Sequence, residues 1–204
     1  KFWSEEARLH GVAHNMVECS ADELAGLKAI IEQSFLSIAT VDRTELDPLP
    51  DRLEIIGAQR SENPALWDTY ERKRMSVTTK MRSEIWLKGQ HDSVDRDVLP
   101  VTAGISSFLD ARLCSGTNVA NVRFLLHGTN AISGPSIMNS GLRIDMVGAN
   151  RPGHADPMFG HGIYLAERSS KADEYAHDGP ELNGIYYIVV CRTVLGRILQ
   201  QRTW

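Results

Sequence analysis

The chain has 204 residues, 42% hydrophobic and 24% charged, with a formal net charge of −4: enough for one substantial core or two small ones, and no overall basic charge to hold a nucleic acid. Its three cysteines, Cys19, Cys114 and Cys191, are too few and too scattered for a disulfide framework or a CxxC-type zinc site. No apolar run reaches the roughly 18 residues of a membrane span, and the amphipathic, acidic start Lys1–Arg8 is no signal peptide, so the chain is expected inside the cell, cytoplasmic or nuclear. Because it opens on Lys1 and stops at Trp204 just after an apolar run, it reads as a piece of a longer protein.

In chain order, Ser20 and Glu23 form a capping box, and Leu24, Leu27, Ile31 and Phe35 follow at helical spacing, which predicts an amphipathic helix over 21–35. A polar loop with Pro48 and Pro50 precedes Leu53–Ile56, an apolar stretch that predicts a strand. Asn63 then caps a second helix with Pro64 in its first turn. Leu66, Tyr70, Val77 and Met81 form one stripe of that helix beside Trp67, and Arg72-Lys73-Arg74 form its solvated face. Residues 89–101 are charged and aperiodic, an exposed connection or insertion, and 103–115 predict a short helix. The β-prone run Val122–Leu126 delivers His127-Gly128-Thr129 at its C-terminal end. Asn130–Ser140 predicts a helix closed by Gly141, and the many breakers from Asp145 to Gly162 predict a long shaped loop. A helix over Ser169–Ala176 follows, then strands Ile185–Val190 and Val194–Leu199 with Gly196 as a break.

The chemistry concentrates at His127-Gly128 and at Phe159-Gly160-His161-Gly162-Ile163-Tyr164. A neutral imidazole can hydrogen-bond a ribose hydroxyl, and a glycine beside it leaves backbone N–H and C=O open to a planar amide. Two tyrosine rings can sandwich a flat cationic heteroaromatic ring such as nicotinamide. A pocket of that kind anchors the leaving nicotinamide while positive charge develops on the ribose. Gly160-x-Gly162 lacks the third glycine of a dinucleotide GxGxxG, and the remaining histidines (His10, His14, His91, His154, His161, His177) show no metal-ligand spacing.

Gly141-Leu142-Arg143-Ile144, then Met158 to Ala166, then Ser169-Ser170-Lys171 to Tyr175, with His127-Gly128-Thr129 ahead of them and Cys191 to Arg197 after, closely resemble the signature of the poly(ADP-ribose) polymerase family, and within it the tankyrase-like and mono-ADP-ribosylating members. Asn63 to Trp67, Tyr70 and Lys73 resemble the helix that precedes the histidine in those members. The resemblance implies an α+β fold: a split, mainly antiparallel β core of the ADP-ribosyltransferase type with flanking helices. It implies NAD⁺ as substrate, protein side chains as acceptors and no metal, with His127 and Tyr164 as catalytic residues. Implied NAD⁺ contacts are His127, Gly128, Thr129, Arg143 on the adenine side, Gly162, Tyr164 and Tyr175, under a donor loop formed by Asp145–Met158.

By this resemblance residues 121–204 are the NAD⁺-binding core, and 1–120 are a helical region with a strand and an insertion packed on the same catalytic domain. Two departures stand out. The serine that usually precedes the second tyrosine is replaced in the stretch of Lys171 and Ala172, leaving Ser169 or Ser170 to substitute. The usual late-strand glutamate would lie beyond Trp204, unless a carboxylate such as Glu174 or Glu181 takes its place. The expected activity is single-unit ADP-ribose transfer. The alternatives are an incomplete NAD⁺- or ADP-ribose-binding or protein-interaction module and, last, RNA 2′-phosphotransfer on the related fold.

Overall fold

The computed structural model describes residues 15–38, 40, 43, 49–88 (side chains to 83), 109–110, 118–147, 159–176 and 185–198. Ser20 opens helix α1 (Ala21–Ser34) as anticipated: its hydroxyl accepts from the Glu23 N–H at 3.3 Å while the Glu23 carboxylate accepts from the Ser20 N–H at 2.9 Å. These reciprocal bonds satisfy helix-end donors that would otherwise stay orphaned. Asn63 caps the longer helix α2 (Pro64–Lys88), its Oδ1 accepting from the Leu66 N–H at 3.1 Å. Helix α3 (Ser133–Ser140) ends on Gly141, whose φ of +78° suits glycine. A single 3₁₀ turn, Ile144–Met146, follows, and helix α4 (Ser169–Asp173) is one short stretch.

Among the described residues four strands form two antiparallel pairs. Strand β1 (Asn15–Glu18) pairs with β2 (Gln59–Glu62), and β3 (Val122–Thr129) pairs over its whole length with β4 (Tyr187–Val194), from Val122 opposite Val194 to Thr129 opposite Tyr187. The architecture is thus α+β, with antiparallel strands in two small sheets.

Two strand expectations need correction. Leu53–Ile56 is not a strand. Leu53 and Ile55 pack inward and Glu54 and Ile56 face out, the alternation of a strand, yet no described strand lies beside it to take its backbone bonds; pairing falls instead on the more polar Gln59–Glu62. The two late runs, expected as separate strands, give one strand ending at Val194. The regular ladder ends where β3 begins, at Val122: beyond it Asn121 (φ +50°) and Gly196 (φ +59°) leave strand geometry, although the Leu195 N–H still donates to the Asn121 carbonyl at 3.2 Å and the Gly196 N–H to the Ala120 carbonyl at 2.9 Å. Most of 103–115, all of 148–158 and 199–204 lie outside the described residues.

Alternate residues of β3 and β4 build the core on one face of the sheet. Leu126 packs with Ile30 and Ile31 of α1 and Ala172 of α4, flanked by Phe124, Ile188 and Val190. Val122 and Ala120 pack with Tyr70 and Val77 of α2 and with Val194. Burying such side chains supplies about 1.5–3 kcal/mol each, and this period-two pattern seats the helices. On the same face, the Arg192 guanidinium lies 5.6, 5.7 and 5.8 Å from the rings of Trp67, Tyr70 and Phe124. It donates to the Tyr70 hydroxyl at 3.1 Å and to Asp110 at 2.7 Å.

Candidate active site

The edge of β3 away from β4 positions the candidate residues. Leu126 and Ala166 exchange both backbone bonds, Leu126 N–H to Ala166 O at 2.8 Å and Ala166 N–H to Leu126 O at 2.7 Å. This isolated antiparallel bridge lays the segment ending in Tyr164 alongside His127 and Gly128. In such a ladder bonding direction alternates along the strand. Since Leu126 bonds toward Ala166, the N–H and C=O of Gly128 point to that same edge, past the end of the bridge, where no described backbone group pairs with them.

The His127 side chain projects from the sheet face opposite the Leu126 core, and its Nδ1 lies 3.0 Å from the Tyr164 carbonyl oxygen. A carbonyl only accepts, so Nδ1 donates and the other nitrogen of the neutral ring, Nε2, is left as an acceptor. Tyr164 is 43% exposed. Its hydroxyl donates to the Gly160 carbonyl at 2.9 Å and accepts from the Phe159 N–H at 3.1 Å. In this turn Gly160, at φ +81°, requires glycine for its backbone. Gly162, half-buried, has open space where a Cβ would stand.

On its core-facing side Gly128 touches α4 so closely that an added Cβ would lie 1.8 Å from the Ala172 carbonyl oxygen and 2.8 Å from the Ala176 nitrogen. The turn that carries half-buried Tyr175 is therefore packed directly against the strand, with Lys171 Nζ 5.2 Å from the centre of the Tyr175 ring. Thr129 is buried, its methyl 3.7 Å from where a Cβ on Gly134 would stand. So Tyr164 and the Tyr175 turn both adjoin the His127–Gly128 stretch of β3, the first at its edge and the second on its core face. Arg143 is not drawn in by any described contact: it pairs with Asp145 on the surface, and that hydrogen bond raises the guanidinium pKa and lowers the carboxyl pKa.

The substitutes for the two departures do not reach this site. The Ser169 hydroxyl donates to the Ile31 carbonyl at 2.7 Å and that of Ser170 accepts from the Leu36 N–H at 3.2 Å, both buried against α1 and its C-terminal extension. Glu174 is buried too, accepting from Thr40 Oγ1 at 2.7 Å and from Lys171 Nζ at 2.6 Å. Glu181 lies outside the described residues. Sequence reasoning missed the anchoring role of Arg43, a lone cation in an aperiodic stretch that carries no signal of its own. Among the described residues, no group of three or more His, Cys, Asp or Glu side chains could hold a metal ion.

Fold and site define an α+β domain in which a strand-borne histidine and glycine face a tyrosine-bearing turn. The model of the poly(ADP-ribose) polymerase catalytic domain matches residues 33–203, and the chain belongs to that family. It is similar to a poly [ADP-ribose] polymerase tankyrase from Caenorhabditis elegans, 41% identical over 81 residues, which cover 40% of this chain and 3% of that relative. The chain therefore spans a small part of the length of the curated relative it matches.

Proposed function

We propose that this domain transfers ADP-ribose from NAD⁺ to protein side chains, one unit at a time. The reading rests on its family membership, and the observation that carries it onto particular residues is the His127–Tyr164 bond beside the open edge of Gly128. NAD⁺ supplies the reactive bond between ribose and nicotinamide. The chain's part is to bind and orient: His127 Nε2 accepts a ribose hydroxyl, the Gly128 N–H and C=O pair with the carboxamide, and the rings of Tyr164 and Tyr175 flank the nicotinamide. Thr129 and Gly162 border it, and Arg143 attends the adenine side. Held this way, nicotinamide leaves with the bonding electron pair, and the acceptor side chain attacks the ribose carbon as it loses its proton.

In this reading the two sheets belong to a split β core of the ADP-ribosyltransferase type, with 1–120 packed on a 121–204 NAD⁺-binding core, in an intracellular setting. One observation favours a second reading, a module that binds NAD⁺ or ADP-ribose or a protein without transfer. Glu174, a described carboxylate that could serve in place of the family's late-strand glutamate, is committed to a buried ion network.

Incubating the chain with NAD⁺ and recording intact mass and free nicotinamide, beside His127→Ala, tests the proposal. ADP-ribose added by the wild type and lost in the mutant supports transfer. Binding of NAD⁺ with neither product supports the module, and no binding of NAD⁺ overturns transfer and leaves of the second reading only a module for ADP-ribose or a protein.

A further inference from the structure

Helix α4 carries the turn that abuts Gly128, yet five residues are too few to hold a helix in place unaided. Its outer side is gripped by the segment that follows α1. Arg43 Nη2 donates to the Ser170 carbonyl at 3.0 Å and to Asp173 Oδ2 at 2.8 Å, and Arg43 Nε lies 3.6 Å from Glu174 Oε1. The side chains of Arg43, Asp173 and Glu174 are 2%, 6% and 1% exposed. Thr40 Oγ1 donates to Glu174 Oε2 and accepts from Lys171 Nζ at 2.8 Å, while the Leu36 N–H bonds the Ser170 hydroxyl. Among the described residues two cations thus meet two carboxylates.

We infer that Arg43 is a positioning residue for the nicotinamide end of the site. It touches neither His127 nor Gly128 in any described contact. Acting through Ser170 and Asp173, it holds α4 so that the Ala172–Ala176 turn lies against Gly128 and keeps Tyr175 beside that strand. The inference rests on the NAD⁺ reading above and deepens it. Its direct consequence is unequal: loosening α4 affects the nicotinamide end and spares the adenosine end. A guanidinium that spans a backbone carbonyl and a carboxylate is not replaced by a lysine ammonium, which reaches one of them.

The test measures affinities of the full chain for nicotinamide and for ADP-ribose separately, in the wild type, Arg43→Met and Arg43→Lys, below the melting temperature of each. The expected result is about a tenfold weaker nicotinamide affinity in Arg43→Met, the equivalent of one displaced ring contact with its hydrogen bond. ADP-ribose affinity should change less than about twofold, and Arg43→Lys should recover part of the loss. Equal weakening of both ligands, or none, in a folded Arg43→Met chain overturns the inference. If Arg43→Met does not fold, Thr40→Val, which removes one hydroxyl from the same clasp, is held to the same unequal criterion. A wild-type chain that binds neither ligand sinks the parent reading and this one with it; wild-type binding with unaltered mutants sinks this one alone.

Discussion

The His127 imidazole donates from Nδ1 to the backbone carbonyl of Tyr164 across 3.0 Å, so the two residues proposed here to bind NAD⁺ fix each other. The tyrosine's main chain sets the tautomer of the neutral ring, with the proton on Nδ1 and Nε2 as the acceptor. His127→Ala is expected to lower nicotinamide release at least about tenfold, the loss of one hydrogen bond to a tightly held hydroxyl. Long-range nitrogen-15 NMR on the folded protein should find the proton on Nδ1, and a proton on Nε2 would contradict the geometry.

Tyr164 has two separable parts. Tyr164→Phe keeps the ring but drops both hydroxyl bonds that tie it to Phe159 and Gly160, so KM for NAD⁺ should rise by about three- to tenfold. Tyr164→Ala also removes the ring and should cost clearly more. Equal KM values for the two variants would remove the ring from the binding site.

Gly128→Ala puts a methyl 1.8 Å from a backbone oxygen that no rotamer can move aside. A loss of about 3 kcal/mol or more is expected, read as a fall in the urea midpoint. Full stability in this variant would show that α4 does not sit against β3.

Glu174→Gln distinguishes a buried structural carboxylate from a reactive one. Leaving Arg43 and Lys171 without this partner should destabilise the fold by about 3 kcal/mol, the scale of breaking a buried ion pair. If stability is unchanged while transfer disappears, Glu174 is a catalytic carboxylate and the buried network is misassigned.

Burial pushes the Cys191 thiol up to about 12 from its ordinary 9.0. Its folded pKa lies above the unfolded one, so the thiol's stabilising contribution is complete below pH 9.0 and is lost as the pH climbs toward 12. Wild type should therefore lose stability relative to Cys191→Ala across that window. A constant difference in denaturation midpoint would mean that the thiol is solvated.

Helix α1 and the cap of α2 were legible because Ser20, Glu23 and Asn63 act on donors within their own first turns. The strand bearing His127 was legible from its β-branched and aromatic run. The α+β class and the poly(ADP-ribose) polymerase resemblance also stand. What failed depended on distant partners: Leu53–Ile56 has the alternation of a strand but has no neighbour among the described strands, and Val194 ends β4 because β3 begins opposite it. Ser170 and Glu174 looked available for chemistry in the sequence, since nothing local indicates that Leu36, Thr40 and Arg43 come back to occupy them.

The guanidinium of Arg192 among Trp67, Tyr70 and Phe124 bears on how α2 finds its place. Grease alone would let a long helix slide along or roll over a sheet with little change in energy. A slip of one residue turns the helix by about 100°, which carries Trp67 and Tyr70 off the cation together and takes the Tyr70 hydroxyl from the half-buried guanidinium. The arginine works as a key that admits one register of α2 on β4 and penalises its neighbours.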